Sequence, residues 1–346
     1  MLDKTDLPTQ KDEAFQTKIL DDVSRTFALT IPQLPDGLSR VVGNAYLLCR
    51  IADTIEDDKD MVFTRKREFS DMFIQVVANG HSAEAFAKTL APLLSDSTPA
   101  QEKYLIEETP AVIRITHSFN DRQRAALTRC IRIMADGMSK FQEADVKNGL
   151  ETQQDMDNYC YYVAGVVGEM LTDLFCDYSQ TINTHYDKLM TLAVSFGQGL
   201  QMTNILKDIW DDQDRHMCWL PNEVFKQYGT DLRELTPGTS DAAVQQALGH
   251  LVSVAQHHLG NALEYTLLIP PEEKGIRRFC LWALGMAVLT LRNINQHRNF
   301  ASGQEVKISR ANVKTVIALS NLFTSNDYML KKLFNYYSKP LTQNFN

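Results

Sequence analysis

RIADTIEDD, residues 50–58, places four carboxylates and one arginine in nine positions. Residues three or four apart share one side of a helix. Tyr46, Arg50, Asp53 and Asp57 therefore fall at i, i+4, i+7 and i+11, with Glu56 beside them. Far downstream, NILKDIWDD (204–212) follows the same logic: Gln201, Asn204, Asp208 and Asp211/Asp212 form a second polar stripe, opposite Leu200, Ile205 and Ile209. A solvated helix face is the ordinary explanation of an acidic run. Such a face mixes lysine with glutamate, whereas both stripes use aspartate, a poor former of helix interiors. Both also begin with aromatic or amide side chains that a solvated face does not need.

If the two helices face each other, their carboxylates converge. Two such charges roughly 6 Å apart repel by about 3 kcal/mol at an effective dielectric near 20. A hard divalent cation relieves that repulsion. Magnesium takes oxygen ligands, keeps several waters, and is held by one or two carboxylates plus substrate phosphates. Two aspartate-rich helices in an apolar helical protein thus point to a metal–diphosphate site over an apolar pocket, and so to chemistry on a prenyl diphosphate.

The remaining sequence supports that setting. Of 346 residues 44% are hydrophobic, and the net charge of −8 argues against nucleic acid as a partner. No basic patch with interleaved aromatics occurs. Six cysteines (Cys49, Cys130, Cys160, Cys176, Cys218, Cys280) lie scattered without metal spacing, as in a reduced cytoplasmic protein with buried thiols. The polar, acidic start MLDKTDLPTQKDEAF reads as neither signal nor transit peptide. The longest apolar run, FCLWALGMAVLTL (279–291), falls short of the roughly 20 residues a membrane span needs. A cytoplasmic protein is expected, soluble or peripheral to a membrane.

Helical spacing of apolar residues predicts helices over 124–145, 158–179, 188–212, 243–268, 276–298 and 310–336, and strand-like alternation is scarce. Breakers gather in LSDSTPA, KNGLETQQD, DLRELTPGTSD and LIPPEEKG, none of them a linker, and no repeat of fixed period stands out. The expected fold is a single all-α domain over 16–346 behind a flexible N-terminus, 1–15.

Six stretches, in order, resemble the squalene/phytoene synthase family: SRTFA (24–28), YLLCRIADTIEDD (46–58), YCYYVAGVVG (159–168), LQMTNILKDIWDD (200–212), RRFCLWALGMAVLTL (277–291) and GQEVKIS (303–309). The resemblance implies an all-α isoprenoid-synthase bundle with a central cavity and two Asp-rich helices. It implies metal ligation by Asp53, Glu56, Asp57, Asp208 and Asp212, for Mg2+ or Mn2+. It implies diphosphate contacts from Ser24, Arg25, Arg50, Gln201, Asn204, Lys207 and Arg215. Tyr159 matches a catalytic tyrosine of a first half-reaction, assisted by Tyr46, and Phe279 an aromatic of a second. Arg25, Arg50 and Lys307 match positions that serve NADPH; no GxGxxG follows a strand, so that site is not of the Rossmann type.

The activity implied is head-to-head condensation of two farnesyl diphosphates through presqualene diphosphate, then reduction with NADPH in the squalene-forming branch. Apolar helices would exclude water from the cations. Alternatives are dehydrosqualene or phytoene formation without reduction, and, in another class, a non-catalytic assembly-factor relative, which the intact carboxylates disfavour. There are departures from the pattern. Lys207 replaces an arginine and so lacks its fork, Tyr161 replaces a histidine, and Ser309 stands where a further base is expected, with Arg310 adjacent. Gly165 and Gly168 read as close-packing residues, and His216, His257 and His258 as surface or core. In DYMLKKLFNYYSKP (327–340), Met329, Leu330, Leu333, Phe334 and Tyr337 share one face opposite Lys331 and Lys332. That face either packs on the domain or lies on a membrane surface.

Overall fold

Helices form where apolar residues recur at helical spacing, and several begin where a side chain caps their first turn. The computed structural model describes residues 7–24, 26–143 and 146–341; among these no strand forms, and Leu150 and Pro221 make an isolated bridge. The all-α expectation is met. Although the sequence shows no linker, packing gathers the described residues into two compact units, one from 1–143 and 169–184, the other from 144–168 and 185–346.

The first unit opens with α1 (Gln10–Val23). Thr9 and Asp12 exchange hydrogen bonds in a capping box, satisfying amides that the first helical turn leaves open. Asp12 is buried and accepts from Arg114 Nη2 at 2.7 Å and Nε at 3.1 Å. Residues 10–15 of the expected segment 1–15 are helical, with Asp12 paired to Arg114; its first six residues lie outside the described ones.

α2 (Asp36–Asp57) is the spine of this unit. Leu47, Leu48, Ile51 and Ile55 are fully buried along one side, each contributing about 1.5–3 kcal/mol relative to exposure. They pack toward α3 (Phe63–Val77) and α4 (Asp121–Glu143). Their burial leaves the Tyr46–Arg50–Asp53–Asp57 stripe for other work. Asp58 closes the helix. Its carboxylate accepts from the amides of Asp60, Met61 and Ser95 and from the Thr98 hydroxyl. Burial raises its pKa, but those bonds outweigh it and hold the group below the usual carboxylate range. Asp58 is thus the structural member of the acidic run.

The second unit contains α5 (Gln153–Cys160), a π-helical turn at 161–165 and the first three residues of the helix Val166–Tyr178, where spacing predicts one helix over 158–179. α6 (Tyr186–Lys207) crosses this turn at backbone contact. A Cβ at Gly197 would stand 2.2 Å from the Ala164 carbonyl oxygen, and one at Gly168 2.3 Å from that of Ala193. Glycine permits that approach, so Gly168 acts in packing, as its sequence setting predicts.

α6 does not run on to 212 as expected. It stops at Asp208, whose backbone (φ −100°, ψ 16°) both ends α6 and starts α7 (Ile209–Asp214). α8 (Ala242–Leu268) and α9 (Lys274–Gln296) pack on α6 close to their predicted bounds. Arg277, fully buried on α9, donates to the carbonyls of Ile269 and Thr324 and to Asp327, each at 2.8 Å. It secures the start of α11 (Asp327–Ser338), which is separate from α10 (Arg310–Phe323) because Asn326 caps a new helix by accepting from the Met329 amide. Leu330 is buried, and it lines an apolar cleft with the half-buried Leu333, Phe334 and Tyr337 and with Leu263 and Leu284. α11 thus packs on α8 and α9 of its own unit and leaves that cleft beside it. No helix of the described residues is long and apolar enough to cross a membrane.

Candidate active site

In the first unit the stripe on α2 comes together as the spacing predicts. Arg50 Nη2 donates to the Tyr46 hydroxyl at 3.1 Å, and Nη1 lies 3.7 Å from Asp53 Oδ2. Tyr46 donates in turn to the Val23 carbonyl at 3.0 Å, and its ring meets Phe27 at 5.2 Å. That pins the SRTFA stretch against α2. Ser24 is buried and its Oγ accepts from the Phe27 amide at 3.0 Å; Arg25 lies outside the described residues. Arg50 Nε is buried with no hydrogen-bond partner, an open donor beside carboxylates. Burial works against the Arg50 charge, yet Asp53 and Tyr46 outweigh it and hold the guanidinium more firmly charged than usual.

Asp53 keeps 35% of its side chain open but stands in a dense protein shell. Burial first, then the charges of Asp57 and Glu102, push it up to about 6 against the opposing pull of Arg50. Glu56 is half-buried and Asp57 exposed. Two further groups join them that the sequence reading missed. Lys66 of α3 donates to the Glu56 carbonyl, and Glu102, from the helix Ala100–Glu107, accepts from Thr54 at 3.3 Å. Each arrives from another helix, and no spacing rule links it to α2.

The second unit holds the other motif across the α6–α7 break. Lys207 Nζ lies 3.1 Å from Asp208 Oδ2 and donates to Asn204 Oδ1 at 3.5 Å; Arg215 Nη2 lies 2.7 Å from Asp212 Oδ1. Burial, reinforced by Asp208 and Asp211 and opposed by Arg215, pushes Asp212 up to about 6. Gln201 is half-buried; Asn204, Asp211 and Arg215 are exposed. Tyr159 is buried near the end of α5, not at the head of a helix, and stacks face to face on Trp219 with centroids 3.8 Å apart and planes 7° from parallel. Phe279 is buried on α9. Lys307 is exposed just after the buried Val306, whose carbonyl accepts from Asn293 at 3.1 Å. Ser309 caps α10 by accepting from the Asn312 amide, which gives the unexpected serine a structural reason.

Burial sets the state of His258 and of Cys280. His258 Nδ1 shares a 2.7 Å hydrogen bond with Ser195 Oγ, and burial lowers its pKa to about 4. Burial pushes the Cys280 thiol up to about 12. Among the described residues no group of three or more His, Cys, Asp or Glu is drawn close enough to hold a metal by itself. The donors fit magnesium on chemical grounds: each motif offers a few hard carboxylate oxygens and leaves the rest to water and phosphate. The raised Asp53 and Asp212, and the open Arg50 donor, also suit a site completed by a cation and an anion.

The family model for squalene/phytoene synthase matches residues 20–312. Squalene synthase BSS of Botryococcus braunii is 30% identical over 322 residues, covering 91% of this chain and 66% of that protein. The squalene synthase of Schizosaccharomyces pombe is 27% identical over 336 residues, covering 95% and 70%. The chain thus spans about two thirds of the length of these curated relatives. Among solved structures, TcSQS in complex with the ligand BPH1237 matches with a TM-score of 0.79 at 24% identity, over 97% of this chain and 94% of that one. A dehydrosqualene synthase in complex with a ligand matches at 0.65 and 20% identity, over 95% and 98%. Both structures share the all-α fold seen here.

Proposed function

We propose, from the premise that the chain belongs to the squalene/phytoene synthase family, that it is a prenyltransferase joining two farnesyl diphosphates head to head to squalene. The observation that carries this reading is the pairing in both acidic motifs: Arg50 with Asp53, and Lys207 and Arg215 with Asp208 and Asp212. Carboxylates paired with cations suit a ligand that brings both charges, a metal-bound diphosphate.

Asp53, Glu56, Asp57, Asp208 and Asp212 would hold Mg2+, or Mn2+ in its place, which when bound neutralises charge on the leaving diphosphate. Arg50, Lys207 and Arg215, with Ser24, Arg25, Gln201 and Asn204, bind and orient the diphosphate, so the allylic carbon–oxygen bond breaks with its negative charge already matched. The alkene of the second farnesyl chain attacks the cation, and loss of a proton closes the cyclopropane of presqualene diphosphate. Tyr159, with Trp219 behind its ring, offers a π face to the cation and a hydroxyl for that proton. Phe279 offers a second aromatic face for the rearrangement that follows. Lys307, Arg25 and Arg50 are the residues proposed for the phosphates of NADPH, the hydride source for the final cation.

One observation favours a second reading, condensation without reduction. Ser309 is occupied as a helix cap where a further phosphate-binding base is expected. Incubating the protein with farnesyl diphosphate and Mg2+, with and without NADPH, and identifying the products tests both. Squalene that depends on NADPH supports the main reading; dehydrosqualene in both incubations supports the second; no prenyl product contradicts both.

A further inference from the structure

The segment between α9 and α10 is fastened at more points than a connector needs. At its start Arg298 donates to the Gln245 carbonyl at 2.8 Å and to Asn295 Oδ1 at 2.6 Å. At its end Val306 is held to α9 by Asn293, and Lys307 follows. Its middle is bound to the second acidic motif itself. Trp210, buried on α7 between Asp208 and Asp212, donates Nε1–H to the Phe300 carbonyl at 2.9 Å. Its ring also meets that of Phe300, 1% exposed, at 6.0 Å and 63°. A Cβ at Gly303 would stand 2.9 Å from the Lys207 carbonyl oxygen and 3.5 Å from Asp208 Oδ1, with the backbone outside the left-handed region. Closeness alone therefore calls for glycine there. Carboxylate chemistry does not need a buried indole; an aliphatic side chain would fill the space but leave the Phe300 carbonyl without its donor.

Resting on the proposed role of Asp208 and Asp212 in holding diphosphate, we infer that Trp210 and Gly303 are positioning residues that couple this motif to Lys307. A divalent cation and diphosphate at the carboxylates fix the α6–α7 break. Through the Trp210–Phe300 bond and the Gly303 contact, that fixes the segment presenting Lys307 to a dinucleotide phosphate. The coupling is reciprocal: dinucleotide tightens pyrophosphate binding by the factor that pyrophosphate tightens dinucleotide binding.

The test uses the full chain as wild type, Trp210→Phe and Gly303→Ala. Amide hydrogen exchange over 297–309 is followed with and without Mg2+ and inorganic pyrophosphate, and binding of that pair is measured by calorimetry. In the wild type the pair slows exchange at 300–309. In both variants it still binds within about threefold, but the slowing is lost. The KM for NADPH rises about tenfold, while condensation to presqualene diphosphate without NADPH keeps its kcat. Slowing retained in both variants, or KM for NADPH and farnesyl diphosphate rising together, overturns the inference and leaves the proposed activity standing. Failure of the wild type to bind pyrophosphate overturns both. If Gly303→Ala does not fold, Trp210→Phe, which keeps an aromatic ring, decides alone.

Discussion

In the first acidic motif, Arg50 reaches Asp53 and Tyr46 along an unbroken 22-residue helix, with its Nε sealed from water. In the second, Lys207 and Arg215 flank a break at Asp208, and Arg215 lies exposed. The same chemistry, carboxylate with cation, is thus held once along an unbroken helix and once across a joint, with Arg50 and Lys207 equally half-buried. The frame decides which substitutions each motif tolerates. A guanidinium that reaches Tyr46 and Asp53 through separate nitrogens cannot be exchanged for a point charge without loss, whereas an ammonium that acts as a point charge can be exchanged for a fork.

The largest expected effect treats the motifs alike. Asp53→Asn and Asp208→Asn should each lower both farnesyl diphosphate consumption and the conversion of supplied presqualene diphosphate about a thousandfold, since every ionisation needs its charge matched. Near-normal turnover in either variant would break the equivalence of the motifs. Tyr159→Phe comes next. Loss of its hydroxyl should slow presqualene diphosphate formation about a hundredfold and the conversion of supplied presqualene diphosphate far less. Equal losses would make the tyrosine structural.

The difference between the frames is sharpened by a reciprocal pair. Arg50→Lys should cost about 10- to 100-fold in kcat/KM, the range of a lost charge-assisted hydrogen bond of about 1.5–3 kcal/mol. Lys207→Arg should stay within about threefold, because the charge beside Asp208 persists. A reversed order would show that the contacts of the Arg50 guanidinium do not rank the two cations.

The smallest effect concerns stability. Burial pushes the Asp53 carboxyl up to about 6 in the folded chain, from an ordinary value of about 3.8 in the unfolded one. The folded state therefore holds the extra proton between those values, and the ionised carboxylate is a liability above pH 6 that vanishes as pH falls toward 4. Metal-free Asp53→Asn should melt higher than wild type by about 2 °C at pH 7.5, a small shift because solvent screens the open side. That gain should shrink by pH 5. Calorimetric scans at the two pH values check this, and a gain that grows on acidification would contradict the assigned sign.

Legibility in the sequence followed the same division. The α2 stripe could be read because the helix is unbroken and its apolar side, Leu47 to Ile55, keeps strict spacing. The break at Asp208 could not, since no glycine or proline marks it. Nor could the π turn at 161–165, whose period differs too little from 3.6 over one turn to alter the apolar pattern. The start of α1 was readable in the Thr9–Asp12 spacing, and the restart at Asn326 in the Thr-Ser-Asn run that precedes it. Lys66, Glu102 and the Trp210–Phe300 contact belong to tertiary packing, which brings together residues far apart in the chain. Tyr159 and Phe279 stood out through the family resemblance; apolar periodicity alone makes them core.

The central claim is that two unlike frames serve one reaction, the metal-dependent release of diphosphate from a prenyl chain. Its most direct test follows inorganic pyrophosphate released from farnesyl diphosphate as Mg2+ is titrated, in wild type, Asp53→Asn and Asp208→Asn. The account predicts Mg2+-dependent release by the wild type, one pyrophosphate at each of two ionisations for every squalene formed, and almost none by either variant. Release that ignores Mg2+, or that survives in either variant, would contradict it.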